Sequence, residues 1–315
     1  MENDIRYLVT GGAGFIGSNL CRLIVAKGHS VIIVDDLSSG NVSNLKSIIN
    51  SVTFYEEKVE FFDFNKVTPL DAIIHLAAQP SVQISINHFE SSSSGNILSS
   101  IKIINFCSKN KIPLIYASSS AIYGNLELGN DESHEIDLLS SYANDKYVME
   151  LYARTASKLY QLSSIGLRFF NVYGPYQDPS NSYSGVISIF IDQILKGKEI
   201  TVNGGFQTRD FIYVGDVVDI IFESILLAAK KQLCEHTNVL TGKSVSIDNL
   251  ADILIKQIDT GVSKKYKTLP IGDPKKSSGT SKKMINLFNI NLSKMVSLEL
   301  GLSKTVDFIQ NSYIE

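Results

Sequence analysis

The glycine spacing in Thr10-Gly-Gly-Ala-Gly-Phe-Ile-Gly17 constrains this chain more than any other feature. It directly follows a strand-like run, Ile5 to Thr10, and opens an amphipathic stretch, Phe15 to Lys27, so Gly11, Gly14 and Gly17 fall at a strand-to-helix turn. Glycine there permits a tight turn and lets the backbone approach a pyrophosphate, whose charge is favoured by unpaired N–H groups and the dipole at a helix N-terminus. Phe15 and Ile16 supply such amides. The next strand candidate ends at Asp35, eighteen residues past Gly17, where a carboxylate can accept hydrogen bonds from both hydroxyls of an adenosine ribose. Asp35 and Asp36 would repel a 2′-phosphate, and no arginine stands beside them to receive it, so the pattern favours NAD over NADP.

Short runs rich in β-branched residues recur at Val31 to Val34, Val52 to Tyr55, Ala72 to His75, Leu114 to Ala117 and Ile165 to Phe169. Amphipathic stretches such as Ile97 to Lys109 lie between several of them, and this alternation predicts an α/β fold with a doubly wound (Rossmann) parallel sheet. At 315 residues the chain suits two lobes sharing one cleft, given roughly 150 residues per domain. The expected division is 1–170 for the dinucleotide-binding domain and 171–315 for a smaller C-terminal substrate-binding α/β lobe, with later segments free to return to the first. In the second part we expect a loop at Gly174 to Tyr183 and helices near Gly185 to Lys196 and Val217 to Lys230. The serine run Ser91 to Ser94 reads as a loop or cap ahead of a helix.

With 44% hydrophobic and 19% charged residues and a net charge of −3, the chain has the composition of a soluble globular protein and no bias toward nucleic acid. Its start has no basic n-region and no apolar run approaches the roughly 18 residues a spanning helix needs, so a cytoplasmic protein is expected. Cys21, Cys107 and Cys234 read as separate buried thiols, and the five histidines show no ligand spacing, so no metal is expected.

Tyr142 and Lys146 stand four apart in a helical segment, Tyr142 to Lys158, and so share one face. That segment follows a strand ending in Ser118-Ser119-Ser120-Ala-Ile-Tyr-Gly124. Tyrosine is a poor base at its normal pKa near 10, but a neighbouring ammonium favours the phenolate. Bringing Tyr142 near pH 7 needs about 4 kcal/mol, which we assign to Lys146 together with a positive nicotinamide in a poorly hydrated cleft. Such a base could take a proton from a sugar hydroxyl, with Ser119 hydrogen-bonded to the same oxygen.

These residues together resemble the extended short-chain dehydrogenase/reductase family, and within it the NAD-dependent nucleotide-sugar epimerases and dehydratases. The likeness runs through the glycine motif, Asp35-Asp-Leu-Ser-Ser-Gly40, His75-Leu-Ala-Ala78, the serine run before Tyr123-Gly124 and the Tyr142, Lys146 pair. It continues through Arg168-Phe-Phe-Asn-Val-Tyr-Gly-Pro175, Gln207-Thr-Arg-Asp-Phe-Ile-Tyr-Val214 and Gly301-Leu-Ser-Lys-Thr-Val. The resemblance implies Ser119, Tyr142 and Lys146 as catalytic residues, with Lys146 also holding the nicotinamide ribose, and Leu76, Ala77 and Ala78 beside the cofactor. It implies a nucleotide-sugar site with Ser119, Ser120 and Tyr142 toward the sugar, and Asn171 and Arg209 on the diphosphate; the plainer reading of Arg209 is an ion pair with Asp210. It also suggests a homodimer through the helices near Ile97 to Lys109 and Tyr142 to Lys158.

Dehydratases of this family carry Thr-Asp-Glu where this chain has Ser119-Ser120-Ala121. Eliminating water needs that acid and base, whereas inverting a carbon needs only reversible hydride transfer, so a UDP-hexose 4-epimerase working through a 4-keto intermediate is favoured. A 4-keto reductase of a deoxysugar nucleotide (dTDP or UDP) would use the same residues, and a non-catalytic NAD(H) sensor would need none of them. The chain departs from the family at Glu57-Lys58-Val59, where an aspartate usually touches adenine, and at Pro270-Ile-Gly-Asp273, which lacks a second arginine; Lys275 or Lys276 is a candidate substitute for its charge. Seven residues past that missing arginine, Ser277 aligns with the gatekeeper that decides whether an N-acetylated sugar fits. A small residue there implies activity on UDP-N-acetylglucosamine and galactosamine as well as UDP-glucose and galactose; Ser278, one register on, implies the same.

Overall fold

The computed structural model describes residues 5–180, 184–258, 261–269 and 273–313. The expected loop end at Tyr183, and Pro270 to Gly272 of the late loop, lie outside the described residues. In chain order the strands are β1 (Arg6–Thr10), β2 (Ser30–Asp35), β3 (Val52–Glu56), β4 (Ala72–His75), β5 (Leu114–Ser119), β6 (Ser164–Phe169), β7 (Asn171–Tyr173), β8 (Ile200–Asn203), β9 (Thr208–Tyr213), β10 (Cys234–Val239), β11 (Ser244–Ser246), β12 (Lys264–Lys267) and β13 (Lys276–Ser277). The helices are α1 (Phe15–Ala26), α2 (Val82–Asn87), α3 (Phe89–Asn110), α4 (Ser141–Tyr160), α5 (Val186–Leu195), α6 (Val214–Lys230), α7 (Ile247–Ile258), α8 (Lys282–Phe288) and α9 (Leu298–Ser312).

The chain forms two compact units. One gathers the residues up to Ile122 with Leu138–Arg168 and Val218–Thr237; the other gathers Tyr123–Asp137, Phe169–Val217 and the chain from Asn238. The first is built on a seven-stranded sheet of order β10-β6-β5-β4-β1-β2-β3. β1 runs parallel to β2 and β4, β2 to β3, and β4 to β5. This is the expected doubly wound sheet. Its inner strands, such as β2 and β4, are near-continuous buried apolar runs, as covering on both faces requires, and Leu8, Ile32, Ile73 and Leu114 share one core with Ile103 and Phe106 of α3 and Met149 and Ala153 of α4. Strand order reverses between β1 and β4, and in such sheets ligands bind outside the carboxyl ends of the strands at that switch point. Gly11 follows β1 and Leu76 follows β4, so the fold delivers both to this place.

The second unit has a four-stranded sheet in which β9 is flanked by β11 and β13 and also pairs with β7, and a separate pair of β8 and β12. Ile191 and Ile194 of α5, Leu250 and Leu254 of α7 and Leu302 and Ile309 of α9 form its core.

The serine run is a correction. Ser91 to Ser94 lie inside α3, not in a loop ahead of it. Serine competes with helix because its hydroxyl can bond nearby backbone, but here the hydroxyls at the two ends of the run bond back along the chain, Ser91 to the His88 carbonyl at 3.4 Å and Ser94 to that of Glu90 at 2.7 Å, while those of Ser92 and Ser93 are buried without a hydrogen-bond partner. Cys21 and Cys107 are buried, whereas Cys234 is only half-buried. Among the described residues no helix is long and apolar enough to cross a membrane, and no three His, Cys, Asp or Glu side chains gather as a metal site.

Candidate active site

The glycine turn closes on itself. Gly11 adopts φ +71°, and a Cβ at this position would meet the Ala77 backbone nitrogen at 2.7 Å. A Cβ on Gly17 would stand 2.0 Å from the Gly11 carbonyl oxygen. Both positions therefore require glycine. Gly14 caps α1 without any side-chain hydrogen bond, and the first turn holds no acidic residue, so the half-buried Phe15 and Ile16 amides have no competing anion from the helix itself. The fit to a pyrophosphate rests on this open helix end. The Leu76 amide donates to the Thr10 carbonyl at 3.1 Å and Ala77 to the Thr10 hydroxyl at 3.3 Å, which fixes the Leu76–Ala78 segment against the turn.

Asp35 ends β2 almost fully buried. One carboxylate oxygen accepts the Ala13 amide and the other the Leu37 amide, each at 2.9 Å. Burial raises its pKa while these amides oppose the rise. Two anchored oxygens with lone pairs remaining suit a diol. Asp36 is exposed, and its Oδ1 accepts from the Ser38 amide and hydroxyl, so its carboxylate serves the local turn.

β5 and α4 bring the catalytic candidates together. Ser140 caps α4, accepting from the Ala143 amide at 3.1 Å, which places Tyr142 and Lys146 in the first turns. The Ser119 hydroxyl accepts from the Ala121 amide at 3.1 Å and lies near enough to Tyr142 to favour its phenolate. Lys146 is buried, donates from Nζ to the Ala117 carbonyl at 2.9 Å, and sits 5.7 Å from the centre of the Tyr142 ring. Ser118 is set apart from Ser119 by its partner: it donates to Glu150 Oε1 at 2.5 Å, and Glu150 forms a buried two-pronged pair with Arg168.

Burial is the largest influence on Tyr142 and pushes its phenol up; the Ser119 hydroxyl opposes this and the Asp145 charge adds to it. Burial also drives Lys146 down to about 8. In the chain alone desolvation disfavours a phenolate and an ammonium alike, so Lys146 without the positive nicotinamide does not offset the rise at Tyr142. His75 at the end of β4 is pushed down to about 3 by burial and then by Lys146, so it is a neutral imidazole, its Nδ1 2.7 Å from the Thr10 hydroxyl.

Asn171 and Arg209 come together in the second unit, where they line a cavity of about 330 Å³ with Gln177, Asn203, Phe211 and Asp273. Arg209 is buried and pairs with Asp273, not with Asp210. Asp210 turns the other way, accepting from the Thr241 amide and hydroxyl. Asn171 donates to the Asp210 carbonyl at 3.0 Å and to the Ser277 hydroxyl at 3.4 Å, which puts Ser277 beside the cavity wall. Lys276 pairs with Glu127 at the surface. Gln177, Asn203 and Asp273 were not singled out from the sequence, because no spacing marks them; only β7, β8 and the late loop coming together does.

A doubly wound sheet with a glycine turn after β1, a buried aspartate at the end of β2 and a Ser–Tyr–Lys set from β5 and α4 defines an extended short-chain dehydrogenase/reductase. The chain belongs to the NAD dependent epimerase/dehydratase family, whose model matches residues 7–239. It is 31% identical over 316 residues to the UDP-glucose 4-epimerase of Mycolicibacterium smegmatis, covering 98% of this chain and 99% of that one. Among solved structures it is similar to the UDP-glucose 4-epimerase of Thermotoga maritima with UDP-glucose, with TM-score 0.89, 33% identity and coverage of 98% and 100%. The UDP-N-acetylglucosamine 4-epimerase of Methanobrevibacter ruminantium, in complex with UDP-N-acetylmuramic acid, gives TM-score 0.90, 33% identity and coverage of 98% and 99%. The cofactor of the family is NAD.

Proposed function

We propose that this chain is an NAD-dependent 4-epimerase of a UDP-hexose, the unit with the seven-stranded sheet binding NAD and carrying the chemistry, the other binding the nucleotide. The observation that carries this reading is on β5 and just after it: Ser119 meets Tyr142, while Ser120 and Ala121 offer no carboxylate for eliminating water.

Asp35 would hold the adenosine ribose, with Asp36 beside it, and Gly11, Gly14, Phe15, Ile16 and Gly17 the pyrophosphate; Leu76, Ala77, Ala78 and Lys146 would flank the rest of NAD. Bound there, NAD would supply reversible hydride transfer with C4 of the sugar, by way of a 4-keto sugar, and a positive ring that would favour the phenolate Lys146 alone does not secure. Tyr142 takes the C4 hydroxyl proton and gives it back, Ser119 hydrogen-bonds the same oxygen, and Ser120 lies toward the sugar. Asn171 anchors the cavity wall, and Arg209 exchanges Asp273 for the diphosphate. Ser277 leaves room for an N-acetyl group, so N-acetylated and plain UDP-hexoses are both substrates. Leu98 and Ile101 of α3 and Leu151 and Tyr152 of α4 are exposed apolar side chains, which supports a homodimer through these helices; a monomer at micromolar concentration in sedimentation equilibrium would remove that part.

The test is NMR of purified protein with UDP-N-acetylglucosamine and no added cofactor. Conversion to a mixture with the galacto epimer supports the whole reading. Conversion of UDP-glucose alone, with NAD⁺ added, rejects the Ser277 part. No conversion of either, with 340 nm absorbance consumed on a 4-keto substrate, replaces epimerase by reductase.

A further inference from the structure

Asp145 stands between the two catalytic candidates of α4, next to Lys146 and three residues past Tyr142, and the residue is 5% exposed. Its Oδ2 accepts from Asn96 Nδ2 of α3 at 3.0 Å. The same Asn96 takes the Gln79 amide on its Oδ1 at 2.8 Å and reaches the Gln79 carbonyl at 3.4 Å. Gln79 directly follows the Leu76–Ala78 segment assigned to the cofactor. One buried asparagine therefore ties a carboxylate on the catalytic helix to the loop after β4.

A carboxylate taken from water and held by a neutral amide is costly unless a positive charge answers it. Lys146 is in the matching situation: a buried ammonium whose hydrogen bond goes to the Ala117 carbonyl rather than to a carboxylate. Adjacent helical side chains do not face each other, so the two cannot form a contact pair. They still act on one another through a poorly screened interior. The other ionisable groups nearby are Tyr142 on the same helix, His75 of β4, which burial holds neutral, and Glu150, which Arg168 of β6 neutralises. From α3 come Asn96 and Ser93, and from α2 Ser85, none of which titrates in this range.

We propose that Asp145 is a positioning residue for the catalytic pair: held by Asn96, its carboxylate supplies the fixed negative charge that keeps the Lys146 ammonium charged, and it joins α4 to the cofactor-side loop at Gln79. The direction of its influence on both neighbours agrees, since the Asp145 charge raises Lys146 and raises Tyr142. Removing that charge lowers both.

This inference rests on the roles given to Tyr142 and Lys146. The experiment uses full-length protein with its retained cofactor and compares wild type, Asp145→Asn, Asp145→Ser and Asp145→Glu. Competitive labelling of amines at graded pH, read at the Lys146 peptide by mass spectrometry, gives the midpoint of that amine without relying on turnover. The midpoint is expected to fall by about 0.5–1 unit in the Asn and Ser variants and to stay at the wild-type value in the Glu variant. Both limbs of the kcat profile are expected to move to lower pH with it. A wild-type midpoint in whichever uncharged variant folds, even with activity lost, makes Asp145 a purely structural residue and overturns the proposal. If wild type turns over no UDP-hexose but the midpoint still moves, the proposed function fails and the Asp145–Lys146 linkage stands.

Discussion

Ser118 and Ser119 are consecutive on β5, yet their hydroxyls serve different structures: Ser118 donates to Glu150 at 2.5 Å, inside the buried pair with Arg168, and Ser119 faces Tyr142, whose phenolate it favours. Alternation along a strand sends successive side chains to opposite faces, so the sheet itself separates a structural serine from a candidate catalytic one. Ser119→Ala should lower kcat on the order of 10²-fold and leave the unfolding midpoint nearly unchanged. Ser118→Ala should do the reverse, costing about 1–3 kcal/mol because it leaves a buried carboxylate short of a donor. Urea denaturation and steady-state rates on the two variants check this; equal kinetic losses would reassign the catalytic hydroxyl.

Tyr142→Phe removes the proton acceptor while keeping the ring. Turnover should fall on the order of 10²–10⁴-fold, with NAD still released on denaturation in the wild-type amount. Function that persists in this variant would point instead to an NAD(H)-binding sensor.

His75 gives a stability prediction with a definite sign. Its folded pKa of about 3 lies below the ordinary 6.5, so the unfolded chain takes up the proton first as pH falls. The stability at stake is intact above about 6.5 and is lost progressively on acidification toward about 3. Between pH 7 and pH 5 this group alone should cost about 2 kcal/mol. His75→Gln should flatten that part of the stability curve measured by urea titration at each pH; an unchanged slope would mean that the imidazole is not held neutral.

The first unit was largely legible because its signals are local. Gly11, Gly14 and Gly17 sit between one strand and one helix, and Asp35 ends the very next strand. Tyr142 and Lys146 are one helical turn apart. The second unit was less so. β7, β11 and β13 are two or three residues long, too short to carry a period, and they exist only because β9 supplies partners. For the same reason the Arg209–Asp273 pair could not be read, since its partners are 64 residues apart and the nearer Asp210 is the more obvious choice. The serine run of α3 misled because serine's turn preference is intrinsic, while its bonds back to helix carbonyls appear only once the helix has formed. The electrostatics of Tyr142 was hard to read for another reason: sequence shows which charges are adjacent but not how deeply they are buried, and in the chain alone burial is the largest influence.

Gly17→Ala tests the cofactor cradle. The added Cβ would stand 2.0 Å from the Gly11 carbonyl oxygen, so α1 must move away from the turn. We expect loss of bound NAD, read from the absorbance of the denatured supernatant, with a stability cost of about 1–3 kcal/mol. Retention of full NAD would show that the turn relaxes around the methyl group and that the glycine is not required.

Ser277 is the position at which substrate range should be adjustable. Its hydroxyl accepts from Asn171 at 3.4 Å, and Asn171 lines the cavity of the second unit, so a larger side chain at 277 would fill space next to a residue assigned to the nucleotide. Ser277→Tyr should reduce kcat/KM for UDP-N-acetylglucosamine by about 10- to 200-fold, the range that steric misfit in a pocket commands, and leave UDP-glucose within a few-fold of wild type. The split between the two substrates is the informative quantity. Equal losses on both would show that the introduced ring disturbs Asn171 and the nucleotide end, and the N-acetyl selectivity would then have to reside in another wall of the site.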